Sequence, residues 1–597
     1  WSERVARVYA GPGNVLDTPA AFDLPFDGHR LATSFAGFEF AGGLAVLEAV
    51  DVPPGGLRAD PATRSCALYA AGAQTLTLIP ATDAWEGLRT WRARDGLARA
   101  GGVERLAGRF VFDLWGERVA AKALPALERS FRYGLTDAVV IWHDWQRWGY
   151  DNRLPDIWPP NPARGAPEEL AALARACERR GALFALHDNY IDLYPDAEAF
   201  TYDDVAFDAA GRPVRAWYNE WRKAQSYRWR PDRMRGALER NLRLIRTGVA
   251  PTAYFIDVWS SVAPHDWWTR SGTYHAARDT RKQWRDAFAW IRGFLGHDAP
   301  QISESGHDQL VGWLDGATAN HLRVGLPPAG AYAWSVWDIR CADAERVPWF
   351  DAALHDRFIL HGAGYEPRYA AGLDSAAHGI YSDDYLSTEV LTGHPAMVKD
   401  AFSRDTVRIY WLLHGLGRAL ALKRIERVAF EGGNLHRQRV AWEGGGAVEV
   451  NRGTDDWTAD GRVLAPYGFH ARVPVEAGSV DIAVERQGGG IVEWSRGPEE
   501  LYLNARGTGT VTAYGATTGG GCRIARDGAR CVVTPLPEGG PFTVELRWPE
   551  LPWRLPSPRL AEAVDEDGTV LREVPLARAG DTVTLACDGK DFAYRVR

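Results

Sequence analysis

The chain of 597 residues is too long for one hydrophobic core, so two to four domains are expected. Its net charge of −8 excludes a broad basic footprint for nucleic acid, and 46% apolar with 24% charged residues is an ordinary globular composition. No apolar run reaches the length that a membrane span needs.

Residues 1–110 read as β. Short segments such as Arg30–Phe40 and Thr75–Ile79 are bounded by Gly and Pro, which predicts an N-terminal sandwich, whole or as the end of a larger one. The pattern changes near Phe112. Ala138–Trp142 is a continuous apolar strand, followed by a polar and aromatic loop through Pro162. Residues 166–180 form a helix with Pro167 in its first turn. Ala182–Leu186 is the next strand, and helices near 231–247 and 278–295 precede and follow Tyr254-Phe255-Ile256-Asp257. Gln301-Ile302-Ser303-Glu304 is another short strand. Strand, polar loop and helix repeated at this spacing predict parallel β/α units, hence a central (β/α)8 TIM-type barrel over residues 111–422. Arg346–Phe350 and Gly379–Tyr381 are candidates for later strands, and 402–421 for a closing helix. Residues 423–597 return to β, with alternation in Ala447–Asn451. They divide into two small sandwiches, 425–510 and 511–597.

Asp257 and Glu304 are the candidate catalytic pair. Each ends an apolar strand, and the carboxyl ends of barrel strands build the active site of this architecture. Two carboxylates on neighbouring strands suit glycoside hydrolysis, one as nucleophile and one as acid/base. As plain structure, the same residues would cap helices or pair with arginines. Four loop clusters follow strand ends: 143–151 (HDWQRWGYD), 187–190 (HDNY), 257–259 (DVW) and 304–308 (ESGHD). Each mixes hydrogen-bonding and aromatic groups, as a sugar pocket requires. From them His143, Asp144, Trp145, Asp188, Asn189, Trp259 and His307 are taken as candidate substrate-binding residues, with Asp384 from 381–389. Asp384 could instead cap the segment it begins. The run 217–229 (WYNEWRKAQSYRW) suits either a pocket wall or a loop packed by cation–π contacts. The 26 tryptophans, against 2 methionines, fit stacking on sugar faces or the filling of a large core. His143, His187, Asp188 and His307 show no spacing of a catalytic metal site, so none is assigned and catalysis needs no cofactor. A structural calcium on carboxylates and carbonyls is allowed.

The six cysteines match no zinc pattern. Most are expected reduced and buried, while Cys522 and Cys531 flank a hairpin turn at Arg526-Asp527-Gly528 and could pair across it. No signal peptide is visible, and neither compartment nor oligomeric state is assigned.

The motifs WHDWQRWGYDNRLPDIWPP (142–160), HDNY (187–190), FIDVWSS (255–261), SESGHD (303–308) and DDYLSTEVLTGH (383–394) together resemble glycoside hydrolase family 129, the exo-acting α-N-acetylgalactosaminidases. The endo-acting family 101 enzymes, which act on mucin-type O-glycans, are the related group. The resemblance covers roughly residues 110–420. It implies a retaining mechanism with an Asp nucleophile, here Asp257, and a Glu acid/base, here Glu304, with Glu220 and Glu389 as the other candidates. It implies terminal α-linked N-acetylgalactosamine on O-glycans or glycopeptides as substrate, while the charge and the short apolar runs predict no nucleic-acid or membrane partner. The alternatives are another α-specific activity such as α-galactosidase, or a non-catalytic carbohydrate-binding protein on the same fold.

Overall fold

A computed structural model describes residues 4–70, 73–94, 96–115, 119–319, 323–325, 336–362 and 370–597. The chain forms two compact units. One comprises Trp1–Glu128, Thr136–Ile380 and Met397–Ala401; the other comprises Arg129–Leu135, Tyr381–Ala396 and Phe402–Arg597.

The first unit is built on eight parallel strands: β1 (Phe110–Leu114), β2 (Ala138–Trp142), β3 (Leu183–Asp188), β4 (Ala253–Ile256), β5 (Gln301–Glu304), β6 (Gly316–Thr318), β7 (Ile359–His361) and β8 (Met397–Val398). They lie in the order β7-β6-β5-β4-β3-β2-β1-β8 with every ladder parallel, a nearly closed barrel. All five residues of β2 (Ala-Val-Val-Ile-Trp) are buried, as expected of a strand covered on both faces. Helices α1 (Ala120–Arg132), α2 (Pro167–Arg179), α3 (Arg235–Gly248) and α4 (Ala277–Leu295) each connect one strand to the next from β1 to β5. Pro167 opens α2, where its missing N–H costs nothing, and Glu169 reaches back to the Ala166 N–H at 2.8 Å.

Alternation lapses between β5 and β6. Between β5 and β6 lies only the single turn Asp308–Leu310. The strand expected at Arg346–Phe350 does not form. Arg346 ends the strand Asp343–Arg346, which pairs antiparallel with Asn14–Asp17, and Trp349 begins a helix, α5 (Trp349–Leu354). Trp349 stacks on Tyr9 at 5.3 Å, so an aromatic run that looks like a strand instead anchors the N-terminal sheet. Gly379–Tyr381 is likewise no strand; it is a turn leading into α6 (Asp383–Thr392).

The N-terminal residues of this unit form a six-stranded sheet and a three-stranded sheet around Val8, Leu16, Phe38, Val46 and Leu57. In the second unit a twelve-stranded sheet runs from Ile425–Phe430 to Val570–Val574, beside a five-stranded sheet. The expected division near residue 510 is bridged: Glu500–Asn504 pairs with Gly521–Asp527, so one sheet continues through it. Cys522 and Cys531 do not pair. The hairpin register sets Cys531 opposite Arg526 and Cys522 opposite Pro535, and both thiols are free and buried. No helix among the described residues is long and apolar enough to cross a membrane.

Candidate active site

Asp257 stands one residue past the end of β4. Its N–H donates to the Asp188 carbonyl of β3 at 2.8 Å, continuing the ladder by one step. The β4–β5 register pairs Ile256 with Ser303, so the next step sets Asp257 level with Glu304. Adjacent strands run about 4.8 Å apart, which sets the two residues on neighbouring strands at one level. The backbone turns left-handed directly after each: Val258 has φ 71° and Ser305 φ 63°. A β-branched residue in that region is strained, and such strain gathers at functional sites. The two turns are tied to each other. Ser260 Oγ donates to the Glu304 carbonyl at 2.7 Å, and the Gly306 N–H donates to the Ser260 carbonyl at 3.2 Å. Glu304 is 9% exposed, and its Oε1 lies 3.9 Å from Nε2 of His29 in the N-terminal segment.

Asp257 is held from behind. Tyr150 donates its hydroxyl to Asp257 Oδ2 at 3.2 Å, and His187 Nε2 lies 3.2 Å from the same oxygen, within ion-pair reach but out of hydrogen-bond alignment. The other ring nitrogen, His187 Nδ1, meets Gln146 Nε2 at 2.9 Å and lies 4.0 Å from Asp151 Oδ1. Burial by itself pulls this imidazole down. Asp151, Asp257 and Asp188 outweigh it, and the group is pushed up to about 9. Burial raises Asp151 well above the usual carboxylate range, against the pull of His187. Asn189 Nδ2 donates to Asp151 Oδ2 at 2.8 Å and to Asp192 Oδ2 at 2.7 Å.

One polar atom each from Asp151, His187 and Asp257 falls within 4.8 Å of the others, a spacing that would admit a cation. The imidazole lies between the carboxylates, with Nε2 3.2 Å from Asp257, while Gln146 Nε2 is nearer to Nδ1 than Asp151 is, at 2.9 Å against 4.0 Å.

The sequence-nominated residues fall into three groups. His143, Trp145, Asp188 and Asn189 pack around or beneath this cluster. His143 Nε2 meets Asp113 Oδ1 at 2.7 Å, its ring stacks on Trp115 at 3.7 Å, and burial lowers its pKa despite Asp113. Trp145 donates its indole N–H to the His187 carbonyl at 2.7 Å. Asp188 accepts hydroxyls from Tyr190 and Tyr254, both at 2.6 Å, and burial pushes it up to about 6. Asp144 is fixed by the Tyr150 N–H at 2.8 Å and by Arg164 at 3.0 Å.

Trp259 and His307 turn into the protein. Trp259 is fully buried against Trp284 and Phe288, and His307 is fully buried against Phe26 and the Val262 carbonyl, with burial lowering it to about 4. Asp384 belongs to the second unit, in the first turn of α6, where it pairs with Arg452 at 2.8 Å; the cap of that helix is Ser382. Of the other glutamates, Glu220 is exposed on a hairpin and pairs with Lys223, and Glu389 is buried within α6.

Asp113 and Trp115 lie outside every expected cluster, while Gln146, Tyr150 and Asp151 fall within 143–151 but are not among the candidate binding residues. One signal could have found the first two: Val111-Phe112-Asp113-Leu114-Trp115 repeats the pattern of Phe255-Ile256-Asp257-Val258-Trp259, an apolar strand running into Asp.

No protein-family model and no curated protein matches the chain. Solved structures do. The ligand-free α-N-acetylgalactosaminidase NagBb from Bifidobacterium bifidum aligns at 17% identity over 76% of this chain and 81% of that one, with a TM-score of 0.60. Its GalNAc complex aligns at 17% identity over 74% of this chain and 78% of that one, with a TM-score of 0.59. The α-galactosidase TtGalA from Thermus thermophilus, in complex with p-nitrophenyl α-D-galactopyranoside, aligns at 16% identity over 74% and 90%, with a TM-score of 0.50. At these identities the likeness is one of fold.

Proposed function

We propose that this protein is a retaining exo-α-glycosidase that removes terminal α-linked N-acetylgalactosamine from O-glycans or glycopeptides. The observation that carries the reading is Asp257 itself: a carboxylate at the carboxyl end of a barrel strand, clamped through one oxygen by Tyr150 and His187, and level with Glu304 on the next strand. In the first step an Asp257 oxygen forms a bond to the anomeric carbon. The bond to the leaving oxygen breaks, and Glu304 gives that oxygen its proton. In the second step Glu304 takes a proton from water as the water oxygen bonds to the anomeric carbon, and the Asp257 carboxylate is released. The retaining outcome requires carboxyls about 5–5.5 Å apart, in keeping with neighbouring strands at one level.

The preference for N-acetylgalactosamine rests on the family 129-like motifs and on the shared fold with NagBb, an α-N-acetylgalactosaminidase. The α-galactosidase reading has its own support in the fold of TtGalA. A panel of p-nitrophenyl α-glycosides tests both. Cleavage of the N-acetylgalactosaminide with little or none of the galactoside is expected. Equal rates would remove the acetamido preference, and no turnover of any member would leave a carbohydrate-binding protein.

A further inference from the structure

Three buried groups lie behind the carboxylate that faces the sugar, and the reaction as written does not use them. Asp151 and His187 are at most 3% exposed, and Asn189 is fully enclosed. The charged and titratable groups facing the His187 ring are Asp151, Tyr150 and His143 from β2 and the segment after it, Asp188 beside it on β3, and Asp257 after β4. Trp115 and Phe255 add ring surfaces at 6.2 Å and 5.6 Å. Two carboxylates therefore flank one buried imidazole, and Asn189 fixes the outer carboxylate by its second oxygen. Buried charges of like sign are tolerable only when a proton or cation lies between them.

We infer that His187 is a positioning residue: the positive charge of the His187 ring, 3.2 Å from Asp257, keeps Asp257 ionised and aimed, and its hold loosens each time Asp257 becomes covalently bound to sugar. The inference rests on the reading of Asp257 as nucleophile. The free enzyme has a carboxylate at 257 and a positive charge next to it. Forming the glycosyl ester consumes the carboxylate's charge without adding a proton to it. The imidazolium then loses its nearer partner and keeps only Asp151. Hydrolysis of the ester regenerates the carboxylate and restores the pair. Losing the Asp257 charge therefore lowers the pH at which His187 gives up its proton, as does losing the Asp151 charge. Tyr150 serves differently, since it donates to Asp257 Oδ2 as a neutral hydroxyl.

The test follows the His187 ring by NMR in protein carrying 13C-labelled histidine, assigned by comparison with His187→Gln. Asp257→Asn mimics the charge of the ester without the sugar, and Asp151→Asn removes the outer partner. In both variants the His187 titration is expected to fall by at least one pH unit. In Asp151→Asn the alkaline limb of kcat/KM is expected to move down with it, while KM at neutral pH changes little. His187→Gln, which keeps a donor, should recover part of the kcat lost in His187→Ala. An unchanged titration in Asp257→Asn overturns the proposal, and that nearly isosteric variant decides the matter even if Asp151→Asn does not fold. A stoichiometric divalent ion in the purified protein, whose removal shifts the His187 titration, also overturns it. The two readings fail separately. Turnover of α-glycosides with an unmoved His187 sinks the positioning charge alone. Absence of all turnover sinks the nucleophile, whatever His187 does.

Discussion

Asp257, Glu304 and Tyr150 have different tasks on the proposed reading, and single substitutions should separate them. Asp257→Ala is expected to lower kcat on the order of 10⁴-fold, with azide restoring part of the turnover as product of inverted configuration. Glu304→Ala should slow substrates with poor leaving groups by roughly 10²–10⁴-fold and spare the first step on activated aryl glycosides. Tyr150→Phe removes one hydrogen bond to the nucleophile, worth about 1 kcal/mol, so kcat/KM should fall roughly five- to tenfold at nearly unchanged melting temperature. If Asp257 and Glu304 were only caps or ion-pair members, each alanine variant would melt earlier and the folded fraction would turn over normally. An Asp257→Ala protein with full activity would remove the nucleophile and the organising idea with it.

At the scale of elements, the barrel depends on close approach where β6 meets β7. Gly316 is paired with Ile359, and a Cβ on it would overlap the Ile359 carbonyl oxygen. Gly316→Ala should therefore cost about 3 kcal/mol, read as a lower melting temperature, because the backbone has to separate to admit the methyl. In the second unit, helix α6 is fastened by arginines: Arg506 pairs with Asp383 at 2.9 Å, and Arg452 holds the residues that follow. Arg452 reaches Asp384 at 2.8 Å, Ser387 Oγ at 2.8 Å and Thr388 Oγ1 at 3.0 Å. Arg452→Ala strands a buried carboxylate and should cost about 3–5 kcal/mol. Asp384→Asn measures the two meanings of that residue. A lower melting temperature with kcat/KM intact is expected, and the reverse pattern would return Asp384 to the sugar. The hairpin that carries Glu220 was read equally as pocket wall or packed loop. Its Asn219 side chain donates to the Asp151 carbonyl at 3.2 Å, which ties the hairpin to the segment that supplies Tyr150 and Asp151.

Over the whole molecule, two buried charges give the pH dependence opposite limbs. His187 has a folded pKa of about 9, above its ordinary 6.5, so it binds its proton more tightly when folded. Its contribution is complete below 6.5 and is lost as pH rises through 9. The melting-temperature gap between the wild type and His187→Gln should therefore narrow from pH 6.5 to 9.5. Glu493 behaves in the opposite sense. Burial alone would raise it, but Arg408 at 2.7 Å and Arg506 overcome burial and bring it down to about 2 from 4.5. Its contribution is complete above 4.5 and is lost as pH falls through 2, so the gap between wild type and Glu493→Gln should close in acid.

Some of this was fully local and therefore legible in the chain. Ala138–Trp142 and Leu183–Leu186 are apolar runs that only a covered parallel strand explains, and α2, α3 and α4 carry their own periodicity and breakers. The strand-end positions of Asp257 and Glu304 were legible for the same reason: a carboxylate that ends an apolar run is visible without any neighbour. What tertiary structure alone decided is direction and company. Trp259, two residues after Asp257, faces Trp284 rather than the site, because the left-handed turn at Val258 sends the chain back toward α4. Arg346–Phe350 has strand-like residues, yet its first member is claimed by Asn14 and its Trp349 by Tyr9, partners more than 300 positions away. The pairing of Asp151 with His187 joins two loops whose residues carry no mark of each other in sequence. Periodicity reports which face of an element is covered. It cannot report which distant side chain does the covering, and in a buried charge chain that identity sets the protonation state.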